Sequence, residues 1–237
     1  MPQTPRITIT PSAVLKREVD EASRTCEMRA LQAFDGHGCV KLLNVEGDTL
    51  KLERLEPGIT LKSYWPEQDE EATRIASHLA KELHQAPVPT SLPHMRDELV
   101  LLDLPWNIPQ DRLQTARLWR DALLATPTQD VLLHGDLHHD NILQKGNDWI
   151  AIDPKGRVGE ALCEAAAFIR NPIPELIKQN DAATIIQKRI HIWAHITECD
   201  PDRLKKWCYV QAVLTWVWAL QDNIDYKLFE EMIVLFV

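Results

Sequence analysis

The stretch VLLHGDLHHDNIL, residues 131–143, with WIAIDPKG, residues 149–156, close behind it, decides how this chain is read. Three of the nine histidines and two aspartates fall inside the first segment, between apolar flanks, in a protein of net charge −9. Two chemistries compete for such a cluster. His134 and His138 stand four residues apart, a spacing that suits a metal when both imidazoles project from one helix face. Gly135 and the strand-like flanks VLL and NIL make the segment a loop instead, which leaves the acids and the asparagine as its working residues. His134 is then expected to brace the loop through hydrogen bonds, with His138 and His139 solvated or near a substrate.

The local pattern predicts how the pieces meet. VLL delivers the loop as a strand, Gly135 permits a tight backbone, and NIL returns as a second strand. The turn Gly146-Asn147-Asp148 joins that strand to WIAID, and the resulting hairpin brings Asp153 back beside Asn141. Asp136 precedes Asn141 by five residues and Asp153 by seventeen, the spacing of a phosphotransferase loop H-x-D-L-x-x-x-N with a metal-binding aspartate on a later strand. Phosphoryl transfer spreads negative charge around the phosphorus, so magnesium needs hard oxygen ligands, here the carboxylate of Asp153 and the amide oxygen of Asn141. A second carboxylate, Asp136, must orient an incoming hydroxyl and take its proton.

Outward from this centre the chain divides in two. ITIT (7–10), AVLKREV (13–19), VKLLNV (40–45) and TLKLERL (49–55) read as strands, the last two as a hairpin around Glu46-Gly47-Asp48. EASRTCEMRALQAF (21–34) reads as a helix with Ala30, Leu31 and Phe34 on one face. Glu27 shares that face, and a carboxylate in line with a core stripe is costly unless paired. From Pro66 the chain turns helical, with Ala72, Ile75, Ala76, Leu79, Ala80 and Leu83 in helical register. A proline-rich connection, 87–109, leads to a second helix near 111–125, and helices interrupted at Pro172, Pro174, Asp181 and Pro201 follow Glu160. The expected architecture is α+β, with a small sheet-plus-helix unit over 1–56 and a larger, mainly helical unit over 57–237.

Composition narrows the partners. With 45% apolar and 26% charged residues the chain reads as an ordinary globular protein. Its 26 basic against 35 acidic residues argue against nucleic acid or an anionic membrane as the main partner, since both require a positive field. The five cysteines are scattered, with no CxxC pair and no zinc spacing, and read as reduced core residues of a cytoplasmic protein. The apolar stretch from Trp207 contains Gln211 and is too short to span a bilayer.

The residues LLHGDLHHDNIL (132–143), WIAIDPKGRVGE (149–160) and AAAFIRNP (165–172) together resemble the aminoglycoside phosphotransferase family of protein-kinase-like enzymes, in particular the streptomycin 6-kinase and hydroxyurea phosphotransferase branch. The resemblance implies a two-lobed fold and an ATP- and Mg2+-dependent phosphotransferase acting on an alcohol hydroxyl of a small molecule, an aminoglycoside such as streptomycin. It implies Asp136 as catalytic base and Asn141 and Asp153 as magnesium ligands. Lys16, ending AVLK, is similar to the strand lysine that holds the α- and β-phosphates, and Glu27 to its helical ion-pair partner. Backbone groups of Glu53, Arg54 and Leu55 stand where the family binds adenine between the lobes. Relatives carry two strands and a phosphate-covering loop before the lysine strand; here ITIT supplies one strand, so a truncated sheet lobe is expected. A second reading follows from that departure, a catalytically impaired relative that binds a ligand or nucleotide without turnover.

Glu160 and Glu164 open the helix after the motif, where carboxylates favour the helix dipole. They are also candidates to face a cationic acceptor.

Overall fold

The computed structural model describes residues 6–224 and 227–236. Strands β1 (Arg6–Ile9) and β2 (Ala13–Arg17) precede helix α1 (Glu21–Phe34), and strands β3 (Leu42–Glu46) and β4 (Thr49–Glu53) follow it. They form an antiparallel four-stranded sheet in the order β1-β2-β4-β3. Helix α1 begins where the Asp20 side chain accepts the Ser23 amide and ends at Asp35, which takes a left-handed conformation. Its Ala30, Leu31 and Phe34 are buried with Leu50 and Leu52 of β4. Glu27 lies on that same buried face, as the helical spacing predicts.

The rest of the chain is mainly helical. Strand β5 (Pro57–Thr60) leads to α2 (Asp69–Leu83), α3 (Met95–Glu98) and α4 (Gln110–Ala125). Strands β6 (Asp130–Leu133), β7 (Ile142–Lys145), β8 (Asp148–Ala151) and β9 (Arg157–Glu160) follow, then α5 (Ala165–Arg170), α6 (Ala182–Thr197), α7 (Pro201–Gln221) and α8 (Lys227–Ile233). Strands β5, β7 and β8 make one small sheet, and β6 pairs with β9 in another. Helix α7 is the axis of the core: Leu204, Trp207, Val210, Leu214 and Val217 are all buried. Burying such side chains contributes about 1.5–3 kcal/mol each. Pro201 opens α7 instead of merely interrupting the helices, because a first-turn proline lacks only an amide that would be unpaired anyway.

Two elements differ from the sequence reading. The proline-rich connection 87–109 contains α3 and a 3-10 turn, Leu99–Asp103, whose Met95, Leu99 and Leu102 are buried. The surrounding prolines hide that short helical spacing. RVGE pairs with β6 in register Leu133 to Arg157, a pairing set by a strand 24 residues away and not by local pattern. Between the sheet part and the helical part, Val40 N–H donates to Ala151 O at 2.8 Å and Ala151 N–H to Gly38 O at 2.9 Å. No helix among the described residues is long and apolar enough to cross a membrane.

Candidate active site

Strand β6 runs through the core at Leu132 and Leu133 and delivers a loop that begins at His134, itself fully buried. The backbone of that loop is held from beneath. Glu164 accepts the His134 amide at 2.6 Å and the Gly135 amide at 3.0 Å, so a buried carboxylate clamps two successive N–H groups. His134 Nε2 lies 2.8 Å from the carbonyl of Ile152. A carbonyl only accepts, so Nε2 carries the proton and Nδ1 is left to accept the Asp136 amide at 3.3 Å. Burial lowers the His134 pKa, which fits this neutral tautomer. Gly135 has φ 87°, a left-handed conformation suited to glycine.

Asp136, Asn141 and Asp153 are then brought together by short hydrogen bonds. Asn141 Nδ2 donates to the Asp136 carbonyl at 2.9 Å and lies 3.4 Å from its Oδ2, which leaves the amide oxygen of Asn141 as the free end. The Ile152 amide donates to Asn141 O at 2.9 Å and sets Asp153 beside that asparagine. Asp153 has φ 62°, a left-handed backbone that costs a non-glycine residue about 1–3 kcal/mol and gathers at functional sites. Lys16 Nζ lies 2.7 Å from both Glu27 oxygens and 2.5 Å from Asp153 Oδ1, and Lys155 Nζ lies 2.9 Å from Asp153 Oδ2.

The electrostatics follow from burial and these pairs. Burial disfavours the Lys16 ammonium, but the carboxylates of Glu27 and Asp153 outweigh it and raise its pKa. Burial also opposes ionised Asp153, yet Lys155 and Lys16 hold its carboxyl below the ordinary value. Gly156 couples this cluster to α1: a Cβ there would lie 2.6 Å from the Cys26 carbonyl, one residue before Glu27.

The hard oxygen set fits magnesium, which binds through one or two protein groups and completes its shell with phosphate and water. Among the described residues no three His, Cys, Asp or Glu gather as a metal cluster, and both His134 nitrogens are engaged within the loop. Glu53 Oε1 accepts the Lys41 amide at 3.0 Å and its Oε2 meets Lys145 Nζ at 2.7 Å. Arg54 donates to Thr10 O at 3.0 Å, and Leu55 is buried. His138 Nε2 stands 3.7 Å from Asp136 Oδ2.

Glu160 and Glu164 turn to protein partners. Arg203 grips Glu160 through two contacts of 2.6 Å, while Glu164 holds the loop. Beside Asp136 a cavity of about 480 Å3 opens, walled by Glu98, Arg157, Glu164, Arg170, Gln211 and Trp218.

The family described as aminoglycoside/hydroxyurea antibiotic resistance kinase matches residues 10–223. The chain belongs to that family. It is 28% identical over 224 residues to streptomycin 6-kinase of Streptomyces griseus, covering 90% of this chain and 72% of that one. It is 31% identical over 210 residues to streptomycin 3''-kinase of Klebsiella pneumoniae, covering 82% and 75%. A choline/ethanolamine kinase family protein of Mesorhizobium loti shares the fold at TM-score 0.71 and 11% identity, covering 99% of this chain and 90% of that one.

The chain is therefore an α+β, protein-kinase-like enzyme, a phosphotransferase that moves a phosphoryl group to a hydroxyl of a small molecule. Sequence reasoning missed the clamp by Glu164, which sits 30 residues beyond the amide it holds. It also passed over Arg170, although a lone arginine closing the run AAAFIR is a signal of a buried charge.

Proposed function

We propose that this kinase transfers the γ-phosphoryl group of ATP, with Mg2+, to an alcohol hydroxyl of a cationic amino sugar such as streptomycin, inactivating the antibiotic in the cytoplasm. Residues 1–56 act as the nucleotide lobe and 57–237 as the catalytic and acceptor lobe. The observation that carries the reading is the convergence of Asp136, Asn141 and Asp153, with the Lys16–Glu27 pair reaching Asp153 at 2.5 Å.

In this reading Asp136 accepts the hydroxyl proton and orients the oxygen for attack. Asn141 and Asp153 would hold magnesium, which would neutralise charge on the phosphate oxygens. Lys16 leaves Asp153 for the α- and β-phosphates, kept in place by Glu27. Backbone groups from Glu53 to Leu55 hold adenine. His134, Gly135 and Glu164 fix the loop so that Asp136 needs little reorganisation. The choice of acceptor is supported by the names of the relatives, streptomycin 6-kinase and streptomycin 3''-kinase.

The test is incubation with ATP and Mg2+ against a panel of aminoglycosides, reading phosphorylated product by mass spectrometry. The reading expects product with streptomycin and none without Mg2+. Absence of product from every acceptor, with the protein folded, contradicts it.

A further inference from the structure

Arg170 closes α5 with its side chain more than nine-tenths buried, at 9% exposure. Its Nη1 has no hydrogen-bond partner, and among the described residues its guanidinium makes no ion pair. Other buried cations are matched: Lys16 by Glu27, Arg189 by Asp69, and Arg120 by Asp103 and Asp121. An unpaired buried guanidinium is costly and is retained where something arrives to complete it.

The cavity it lines shows what that is. Glu98 is taken by Arg157 at 2.5 Å, and Glu164 by the loop amides. Gln211 donates to Cys163 O at 3.2 Å and the Thr215 hydroxyl to Gln211 O at 2.8 Å, and neither is hydrogen-bonded to Arg170. Burial depresses the guanidinium pKa while the Asp136 carboxylate opposes the shift, from a distance without a hydrogen bond. The cavity thus joins the candidate base, Asp136, with a planar guanidinium whose buried Nη1 lacks a partner, a donor group whose geometry suits an oxyanion.

We infer that Arg170 is an oxyanion-binding positioning residue of the acceptor cavity, and that the oxyanion is the phosphoryl group as it passes to the acceptor. The inference rests on the reading of Asp136 as base. In the step, the bond from the γ-phosphorus to the bridging oxygen of ADP breaks as the bond to the acceptor oxygen forms. The acceptor proton goes to Asp136, and Arg170 stays protonated and only donates hydrogen bonds. Arg170 offsets the repulsion between a phosphate group and the Asp136 carboxylate on the acceptor side.

Titration of inorganic phosphate into the protein saturated with ADP and Mg2+ tests this without turnover, so it stands apart from the identity of the acceptor. Wild type should bind phosphate; Arg170→Met should lose at least about tenfold in affinity, and Arg170→Lys less. Removing an unpaired buried charge should leave the melting temperature of Arg170→Met unchanged or raised. Equal phosphate affinity in wild type and Arg170→Met, or a lowered melting temperature with affinity retained, overturns the inference. Kinetics with streptomycin identify the oxyanion's source. A fall in kcat of about 100-fold with KM held assigns it to the phosphoryl group. A rise in KM alone, with kcat held, overturns that assignment in favour of an oxygen-bearing substituent of the acceptor.

Discussion

His139 is buried and stacked on Phe168, ring centroids 4.0 Å apart, with neither nitrogen hydrogen-bonded. Burial first, then the Arg189 charge, push its pKa well below the ordinary histidine value. His134 and His138 are lowered too, again by burial. The sign follows from linkage: below about pH 6.5 the unfolded chain takes protons that the folded chain refuses, so stability falls as pH drops through that value. Thermal unfolding between about pH 7.5 and 5 should show this decline, and His139→Leu should make it shallower. An unchanged slope in that variant would remove His139 from the explanation. Gly156 offers a second residue-scale test. Its φ of 63° and the 2.6 Å approach to the Cys26 carbonyl leave no room for a side chain. Gly156→Ala should cost at least about 1–3 kcal/mol in chemical unfolding, and a neutral result would contradict the close packing of this loop on α1. The meeting of Asp136, Asn141 and Asp153 was legible because it is set by local spacing. The engagement of Glu160 by Arg203 was not, since the partner lies 43 residues further on.

Arg189 ties three elements at one point. It is fully buried on α6, binds both carboxylate oxygens of Asp69 on α2, and donates to the carbonyls of Phe168, Ile169 and Asn171 at the end of α5. The carbonyls of Phe168 and Ile169 fall in the last turn of α5, where a helix lacks its usual backbone partners, and Asn171 is its C-cap. Arg189→Met should therefore cost about 3–5 kcal/mol in chemical unfolding, because it strands a carboxylate and several carbonyls in the core. A loss below about 1 kcal/mol would show that water or a neighbour replaces the guanidinium. Long amphipathic elements such as α2 follow from their apolar spacing. Strand β9 depends on β6, and α3 hides among prolines, so neither has a strong signal of its own.

The sheet part and the helical part meet at the candidate site, through the backbone bonds of Gly38 and Val40 to Ala151 and the ion pair of Lys16 with Asp153. A nucleotide bound there touches both parts, so it should stabilise the molecule as a whole. At a Mg·ATP concentration about a hundredfold above its dissociation constant, the melting temperature should rise by about 5–10 °C, and Asp153→Asn should abolish most of that rise. No shift with either protein would contradict nucleotide binding at this junction. The protein-kinase-like architecture was legible through the family resemblance of residues 132–143, 149–160 and 165–172, while local spacing by itself predicted only the strand, loop and hairpin that bring Asp136, Asn141 and Asp153 together. The central claim is that Asp136 is the base of a phosphoryl transfer, and the most direct measurement compares wild type with Asp136→Asn. Both should show the same Mg·ATP-induced stabilisation, while transfer to streptomycin falls by about 10²–10⁴-fold in the variant. Transfer by Asp136→Asn within about threefold of wild type would contradict the account, since a base worth less than 1 kcal/mol is no base.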